Sequence, residues 1–481
     1  MDWSKLLSEK KFAEERIPEP KQLSDYPISE FEKDYKKIVA DANFRRLQDK
    51  TQVFPLDKSD FVRTRLTHSI EVSTIAKQLG VMIYSGYERF SKSKEFPMNK
   101  EHKHKICDIL MCSGLLHDLG NPPFGHFGET VIRDWFRNIL DNEIITYKGK
   151  PLASILSNQM CMDFKNFEGN AQSFRILTKY NNTSSNNNLN LTYAVIQSLM
   201  KYPVNSENFS SEDADIKMHK NGYFLAEQEL LKKIASKTGT INGNEIFRHP
   251  LTFILEAADD IAYATADLED AFKKSQFTID EFIAFYDKTL ESLSGVSLKP
   301  NSKELINVLR DRATKTIEDD FTAFSDWVKI ARDWLMYCAA FGFTNNYTAI
   351  MSGTYKYDLF HDTFHRFSIK TLKKVMSKFV YNSDNILRLE LSASTIISSL
   401  LDRFIPAAIY YNEKSQLNKL SDIDNKYINL ISDNYKEDYL RQKNGDESHD
   451  LYLRLLMVCD YISSMTDSFA KNLYQELLGI N

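Results

Sequence analysis

The segment LLHDLGNPPFGHFGE, residues 115–129, changes from a hydrophobic helix to a turn within a few residues. It holds two histidines, an aspartate and a glutamate, together with three glycines and two prolines. The run Gly-Asn-Pro-Pro at 120–123 predicts a sharp helix end, because proline cannot continue a helix and restricts the residue before it. The segment therefore predicts titratable side chains held beside a stiff turn.

The composition of the whole chain predicts an all-α fold. The 481 residues are 42% hydrophobic and 12% aromatic, which is enough to bury a large core. Glycine and proline number only 16 and 12, and the apolar residues recur at helical spacing. We expect a multi-helix core over residues 1–285 and a helical C-terminal region over 286–481 that packs on it.

Charge and cysteine content exclude several classes of protein. A net charge of -5 argues against a globally basic nucleic-acid binder, and five cysteines without a CxxC pair indicate neither a disulfide framework nor a zinc–thiolate site. The N-terminus is charged throughout and no apolar run reaches the length of a membrane span, so we expect a cytoplasmic protein. The Asn-rich stretch at 180–192 predicts a flexible surface loop.

Three helical patterns place metal-binding side chains on buried faces. His68 shares a face with the apolar residues Val72, Ile75, Leu79 and Ile83. His117 lies on the stripe of Ile106, Leu110 and Ser113, and Asp118 follows just before the helix end. Asp259 lies on the face of Leu255, Ala262, Tyr263 and Ala266, whereas Asp260 is rotated about 100° away by the helical period.

Two inward histidines and two aspartates on three helices predict one divalent-metal site, because a buried aspartate is unfavourable unless it is paired or bound to a metal. Each residue alone has an ordinary alternative. An inward histidine is commonly a hydrogen-bonded core residue, and Asp118 or an Asp-Asp pair is commonly exposed. Imidazole and carboxylate donors without thiolate suit Mn²⁺, Fe²⁺, Zn²⁺ or, less comfortably, Mg²⁺.

A run of motifs resembles the deoxyguanosine triphosphate triphosphohydrolase family of HD-domain phosphohydrolases, in its longer bacterial form. The motifs are RLTHSIEV (65–72), the opening segment, FEGNAQSFRIL (167–177), LTYAVIQSLMKYP (191–203) and EAADDIAYATADLEDA (256–271). Two later segments, at 386–406 and 451–470, are similar to the C-terminal part of the longer members. The resemblance implies an all-helical HD-domain core with additional C-terminal helices, and hydrolysis of a dNTP to deoxynucleoside and inorganic triphosphate.

The resemblance also implies roles for the clustered residues. His68, His117, Asp118 and Asp259 would be the metal ligands of one divalent ion, with Mn²⁺ or Mg²⁺ favoured over Fe²⁺ or Zn²⁺. His126 would be the acid that protonates the leaving 5′ oxygen, and Glu129 would orient it. A turn histidine that only caps local backbone is the alternative for His126.

The substrate-binding residues implied by the family fall into three groups. The phosphate contacts would be Arg65, Lys201 and Lys220, although the two lysines have a solvated alternative. The sugar and nucleotide contacts would be Gln52, Tyr202, Tyr263 and Asp267; the last two follow Asp259 at offsets of 4 and 8, so they line one helix face. A core tyrosine and a solvated aspartate are the alternatives there. Guanine recognition would use Glu390 and Arg454, the latter reaching a neighbouring subunit.

Hydrolysis of a dNTP, with dGTP preferred, to deoxynucleoside and inorganic triphosphate is the first functional hypothesis, with two alternatives. One is an HD phosphohydrolase that acts on another nucleotide, such as an alarmone or a 5′-monophosphate. The other is a non-catalytic protein that binds nucleotide or single-stranded DNA. The resemblance further implies a homo-oligomer, with a hexamer as one candidate, and leaves open an activating nucleotide or single-stranded DNA; no membrane partner is expected.

Overall fold

The chain is described by a computed structural model over ten ranges. The described residues are 1–12, 28–53, 62–91, 93, 95–179, 189–294, 303–315, 319–381, 384–413 and 420–480. Within them the structure is almost entirely helical, which confirms the predicted all-α class.

The helices of the first half surround the predicted site. They are α1 (Trp3–Leu6), α2 (Glu30–Ala40), α3 (Ala42–Arg46), α4 (Arg65–Gly86), α5 (Lys100–Leu116), α6 (Gly125–Asp141), α7 (Leu152–Ile155), α8 (Asn158–Lys165), α9 (Gly169–Lys179), α10 (Tyr193–Ser198), α11 (Gln228–Thr238) and α12 (Pro250–Ala262). Short antiparallel strands form two hairpins, β1 (Thr146–Tyr147) with β2 (Lys150–Pro151) and β3 (Ile241–Asn242) with β4 (Glu245–Ile246).

The second half is helical as well. It comprises α13 (Leu268–Lys273), α14 (Ile279–Ser294), α15 (Glu304–Lys315), α16 (Asp320–Asn345), α17 (Tyr347–Ser352), α18 (Arg366–Met376), α19 (Asp384–Ala408), α20 (Asp422–Leu430), α21 (Asp433–Gln442), α22 (Glu447–Ser463) and α23 (Asp467–Leu477). Short 3₁₀ turns lie at Leu47–Asp49, Ile216–Met218 and Leu225–Glu227, and π-helical turns at Tyr87–Ser91, Tyr263–Asp267 and Ser377–Tyr381.

Each of the three helices that carry the predicted metal ligands begins at a capping residue. Thr64 and Asn99 form capping boxes at the starts of α4 and α5. His249 caps α12 through its side chain, and Pro250 occupies the first helical position, where its missing N–H is not needed. Local sequence therefore sets where each of these helices begins.

Helices α4 and α5 pack closely along their length and bring two of the ligand-bearing segments together. The closest approach is at Gly114, where a Cβ atom would lie 2.4 Å from the Cα of Ser73. Only glycine permits this separation. Helices α12 and α16 pack on α4 from the other sides.

Two hydrophobic clusters organise the interior. The first contains the buried faces of α4, α5 and α12 and extends from Trp3 to Ile386, so it includes α15, α16 and α18. The second joins α6 and α8 to α19, α21, α22 and α23. The predicted boundary at residue 285 does not separate these clusters, because each of them takes residues from both sides of it.

Several sequence-based expectations concern individual segments. Residues 180–188 of the Asn-rich stretch lie outside the described residues, whereas Leu191 and Thr192 at its end are fully buried, unlike the surface loop that we predicted. All five cysteines are free and buried. Among the described residues, no helix is both long enough and apolar enough to cross a membrane.

Candidate metal centre and active site

Four side chains from three helices converge on one point. His68 comes from α4, His117 and Asp118 follow the end of α5, and Asp259 comes from α12. Asp259 Oδ1 lies 3.3 Å from His68 Nε2 and 3.4 Å from His117 Nε2, and Asp118 Oδ1 lies 3.6 Å from His117 Nε2. Ligand atoms of His68, His117 and Asp118 all lie within 4.8 Å of one another. We call these four residues the metal cluster.

The hydrogen bonds of the metal cluster leave donor atoms for a cation. His117 donates from Nδ1 to the carbonyl oxygen of Gly114 at 2.9 Å, so its Nε2 carries the lone pair. That Nε2 is buried and has no hydrogen-bond partner among the described residues. Two imidazole nitrogens and two carboxylates with such an orphaned atom fit a divalent ion of the Mn²⁺, Fe²⁺ or Zn²⁺ type.

Nearby cations keep the cluster carboxylates ionised. Burial opposes the ionisation of Asp118, but the charge of Arg65 is the main influence that holds the pKa of this carboxyl well below its usual range. Burial likewise opposes ionisation of Asp259, and Lys201 is the main group that holds its pKa far below normal. Both carboxylates are therefore anionic at neutral pH and could bind a cation.

The three predicted phosphate-binding cations lie around the cluster, and each already has a carboxylate partner. Arg65 donates to Asp118 Oδ2 at 2.6 Å, and Lys201 donates to Asp259 Oδ2 at 2.8 Å. Lys220 donates to Glu168 at 2.9 Å. The side chain of Lys201 is only 12% exposed, unlike the solvated alternative, whereas that of Lys220 is 40% exposed.

The turn after the metal ligands presents the predicted acid. Phe124 and Gly125 both adopt left-handed backbone with φ of 62°, and α6 begins at Gly125. A Cβ at Gly125 would lie 2.3 Å from Arg65 Nη2, so this position must be glycine for the guanidinium to approach the turn. We call residues 120–125 the catalytic turn.

His126 and Glu129 form a pair directly after the catalytic turn. His126 Nδ1 lies 3.4 Å from Glu129 Oε2, and Glu129 is held from behind by the backbone N–H of Gly169 at 3.1 Å. The histidine side chain is 74% exposed, whereas Glu129 is buried. The hydrogen bond to Glu129 raises the pKa of His126. Burial acts to raise the pKa of Glu129, but its hydrogen bond with His126 leaves this pKa below normal.

Family comparisons match both this region and the C-terminal helices. A model of the HD domain matches residues 65–170, and a model of the phosphohydrolase-associated domain matches residues 365–476. A deoxyguanosinetriphosphate triphosphohydrolase-like protein of Listeria monocytogenes is 42% identical, and the match covers 100% of both chains. A deoxyguanosinetriphosphate triphosphohydrolase of Yersinia enterocolitica is 31% identical over 95% of each chain.

The chain belongs to the deoxyguanosinetriphosphate triphosphohydrolase family. It is a hydrolase, and the resemblance seen in its motifs is confirmed. The HD match contains His68, His117 and Asp118 as well as the His126–Glu129 pair. Asp259 lies beyond it, so the metal cluster of this triphosphohydrolase-family chain closes only when α12 packs on α4.

The predicted sugar-binding residues of this family member lie on an irregular helical turn. Residues Tyr263–Asp267 are π-helical, which the regular helical period assumed for the sequence did not predict. Such turns are common at functional sites. Asp267 is fully buried rather than solvated, and neither carboxylate oxygen has a hydrogen-bond partner in the described part of the chain. Burial raises the pKa of Asp267 to about 7.

Three of the predicted contacts to the nucleotide are partly buried. Gln52 has a buried Oε1 that accepts no hydrogen bond from any described residue. Tyr202 follows Lys201 and is half-buried, and burial raises the pKa of its phenol. Tyr263 is half-buried on the π-helical turn.

The two residues predicted to read the base differ in their surroundings. Glu390 lies half-exposed in the first turns of α19, where burial raises its pKa. Arg454 is only 1% exposed, and it donates to the carbonyl oxygens of Ile409 and Asp450. Its guanidinium also lies 5.2 Å from the ring centre of Tyr147, so it is buried within its own chain, and the expected contact with a neighbouring active site stays a prediction.

Two residues beside the site, Lys50 and Asp467, were not singled out from the sequence, and Asn121 entered only as part of the turn that ends the helix. Asn121 donates from Nδ2 to Asp118 Oδ1 at 2.7 Å, so it orients a cluster carboxylate. Lys50 and Asp467 contact the catalytic turn itself. No local pattern marks these two residues, because the partners of their side chains lie 71 to 416 positions away along the chain.

Proposed function

We propose that the chain hydrolyses deoxynucleoside triphosphates, with dGTP preferred, to deoxynucleoside and inorganic triphosphate. One observation carries the proposal: a cluster of two histidines and two aspartates lies beside a histidine whose pKa is raised by a buried glutamate. The preference for dGTP rests on the names of the related proteins.

The metal cluster would hold one divalent ion, with Mn²⁺ or Mg²⁺ favoured and Fe²⁺ or Zn²⁺ as alternatives. When bound, such an ion supplies Lewis-acid polarisation of a phosphoryl oxygen and a more acidic water. The residues of the chain then position the substrate. Arg65 and Lys201 stand beside the cluster carboxylates, and Lys220 stands beside Glu168, so their charges face the phosphates of the nucleotide.

His126 acts as the general acid. A water oxygen joins the α-phosphorus and gives up a proton to the solvent, from which His126 is later reprotonated. The bond from this phosphorus to the 5′ oxygen breaks, and its electron pair stays on the 5′ oxygen. Glu129 accepts the Nδ1–H of His126, so the transferable proton is on Nε2 and moves to the 5′ oxygen. Because Glu129 is buried and ionised, it also stabilises the charged imidazole before transfer.

The sugar is read by the unpaired groups near the cluster. Asp267, protonated or not, offers oxygens that lack a partner within the described ranges, and these would pair with the 3′-hydroxyl. Gln52 Oε1 offers a second acceptor for the same hydroxyl, and Tyr263 would pack against C2′. Tyr202 lies beside Lys201 and would contact the nucleotide, while Glu390 would contact the base. Assembly into a homo-oligomer, a hexamer being one candidate, and activation by nucleotide or single-stranded DNA stay predictions.

Product analysis tests the proposal. The purified chain is incubated with each dNTP and Mn²⁺ in ¹⁸O-labelled water, and the products are resolved by anion exchange. We expect deoxynucleoside and intact triphosphate carrying the label, with dGTP used fastest. A dNDP or dNMP as first product would refute the reaction, and turnover of an alarmone in place of dNTPs, or nucleotide binding without turnover, would favour the corresponding alternative.

A further inference from the structure

Lys50 lies where the catalytic turn meets the C-terminal helices. Its ammonium group is buried and donates to the carbonyl oxygen of Asn121 at 2.6 Å and to that of Ser463, at the end of α22, at 2.8 Å. Its own carbonyl oxygen accepts from the N–H of Arg65 at 2.9 Å, at the start of α4. One residue therefore joins three separate segments.

Asp467 makes the complementary contacts from the start of α23. Its Oδ1 accepts from the backbone N–H of Phe124 at 2.8 Å, and its Oδ2 accepts from the backbone N–H and the hydroxyl of Thr51 at 3.0 and 2.5 Å. Asp467 is only 1% exposed. Lys50 and Asp467 thus hold the catalytic turn at both of its sides.

The backbone of the catalytic turn explains why it needs such support. Phe124 has a φ of 62°, a conformation that a residue with a bulky side chain rarely adopts. Such strain persists only when surrounding contacts over-determine it. The N–H that Asp467 accepts belongs to this same residue, and His126 follows it by two positions.

We infer that Lys50 and Asp467 are positioning residues through which the C-terminal helices hold the catalytic turn, and thereby His126, in its working orientation. This inference rests on the proposed function of His126 as the acid. Within the described ranges, neither residue makes a hydrogen bond to a side chain of the metal cluster, whose ligands are carried by helices α4, α5 and α12. The bridge therefore acts directly on the catalytic turn, and it reaches the metal ligands only through Asn121, whose amide orients Asp118.

Two variants of the full-length chain test the bridge. Lys50→Met removes the ammonium group while keeping an unbranched chain of similar length. Asp467→Asn replaces one carboxylate oxygen by an amide N–H₂ group. This group then faces either the N–H and hydroxyl of Thr51 or the N–H of Phe124, and donors cannot pair with one another. A displacement of the acid by about 1 Å can lower a rate by roughly 100-fold, so we expect kcat with dGTP and Mn²⁺ to fall by about 10- to 100-fold. The Mn²⁺ affinity should change by less than kcat does, because the metal ligands contact the bridge only through Asn121.

Hydrogen exchange gives a readout that needs no substrate. We expect the amides of residues 124–128 to exchange faster in both variants than in the unmutated chain. Ser468→Ala is the matched control. Ser468 is the neighbour of Asp467, and its hydroxyl donates to Asp49 at 2.8 Å and not to the catalytic turn. This control should keep both kcat and the exchange rates.

The outcomes separate the inference from the proposed function. Wild-type kcat in a folded Lys50→Met or Asp467→Asn chain would overturn the inference, as would unchanged exchange at 124–128. A loss of kcat that is matched by loss of Mn²⁺ affinity would also overturn it, because the bridge would then act on the metal ligands. If the unmutated chain releases no triphosphate from any dNTP, the proposed function fails, while the exchange rates still report whether the bridge holds the turn.

Discussion

Two buried groups of charged side chains differ in which of their polar atoms lack a partner. In the metal cluster, His117 Nε2 lies beside both cluster carboxylates and has no hydrogen-bond partner among the described residues. In the second group, which we call the Asp460 network, Asp460 accepts from Arg175, Lys179 and Gln172, and Arg175 also donates to Glu227. The atoms of this network without a partner in the described ranges, Gln172 Oε1 and Glu227 Oε2, belong to its outer members. Burying an unpaired polar atom is unfavourable. The unpaired nitrogen at the centre of the first group suits a metal ion, whereas the central charges of the second group already compensate one another.

The largest effect should come from breaking the metal cluster. Asp259→Ala removes one carboxylate of the metal cluster, so we expect Mn²⁺ binding and dNTP hydrolysis to be lost while the chain still folds. Isothermal titration with Mn²⁺ and product analysis measure both. Asp260→Ala is the matched control, because Asp260 pairs with Lys373 at 2.6 Å, away from the cluster. Equal losses in the two variants would contradict the assignment of Asp259.

The second prediction concerns the unpaired carboxyl of Asp267. A site built to pair a hydroxyl can reject an analogue without it by about 10⁴-fold, so 2′,3′-dideoxy-GTP should have a kcat/KM lower than that of dGTP by about this factor. Asp267→Ala should remove most of the difference by slowing dGTP. rGTP should also be poor, and Tyr263→Ala should relax its exclusion. Similar kcat/KM values for all three nucleotides in the unmutated chain would show that Asp267 does not read the sugar.

The third prediction separates the acid from the metal cluster. His126→Ala should lower kcat by about 10² to 10⁴-fold, the usual contribution of a general acid. Mn²⁺ affinity should be unchanged, since the side chain of His126 is exposed and contacts Glu129, which is not a residue of the metal cluster. Steady-state kinetics together with metal titration measure the two effects. A variant with near wild-type turnover would show that another group donates the proton.

The fourth prediction breaks the Asp460 network. Asp460→Leu leaves the buried cations Arg175 and Lys179 without their shared carboxylate, so we expect the free energy of unfolding to fall by about 3 to 5 kcal/mol. Denaturation in urea, followed by circular dichroism, measures the change. Asp134→Ala, in an exposed pair with Arg137, should cost less than about 1 kcal/mol. Equal stability of the two variants would mean that charge compensation at Asp460 does not stabilise the fold.

The smallest effect should be a shift in the pH dependence of turnover. The acid works only when protonated, so kcat should fall as pH rises through the raised pKa of His126. Glu129→Gln removes the carboxylate that raises this pKa, so the basic limb of the kcat profile should move to lower pH by about one unit. Glu229→Gln, which changes an exposed carboxylate, should leave the limb in place. A shift to higher pH in Glu129→Gln would contradict the role of Glu129.

The residues predicted for the metal cluster could be found from the sequence because they depend on local rules. The helical period places His68, His117 and Asp259 on apolar faces, and it turns Asp260 away toward Lys373, as the structure has it. The all-α class followed from composition and periodicity in the same way. The family resemblance supplied the remaining site residues.

The parts that could not be predicted depend on contacts between distant segments. The period that located Asp259 assumes a regular helix, so it missed the π-helical turn that begins at Tyr263. Arg454 lies in a motif that resembles the family, yet its packing against the segment at Ile409 decides that it is buried. The partition of the core into two clusters also follows from tertiary packing, which no boundary drawn along the chain represents.

The contact between Lys50 and Ser463 has a consequence for synthesis of the chain. The two residues are 413 positions apart, so at about 5 to 20 residues per second the ribosome needs roughly 20 to 80 s to deliver the second partner after the first. All four residues of the metal cluster have been made once residue 259 is translated. For the remaining time a nascent chain can carry its metal-binding residues without the support of its catalytic turn. Turnover would then reach its full rate only in chains that have been translated to their last helices.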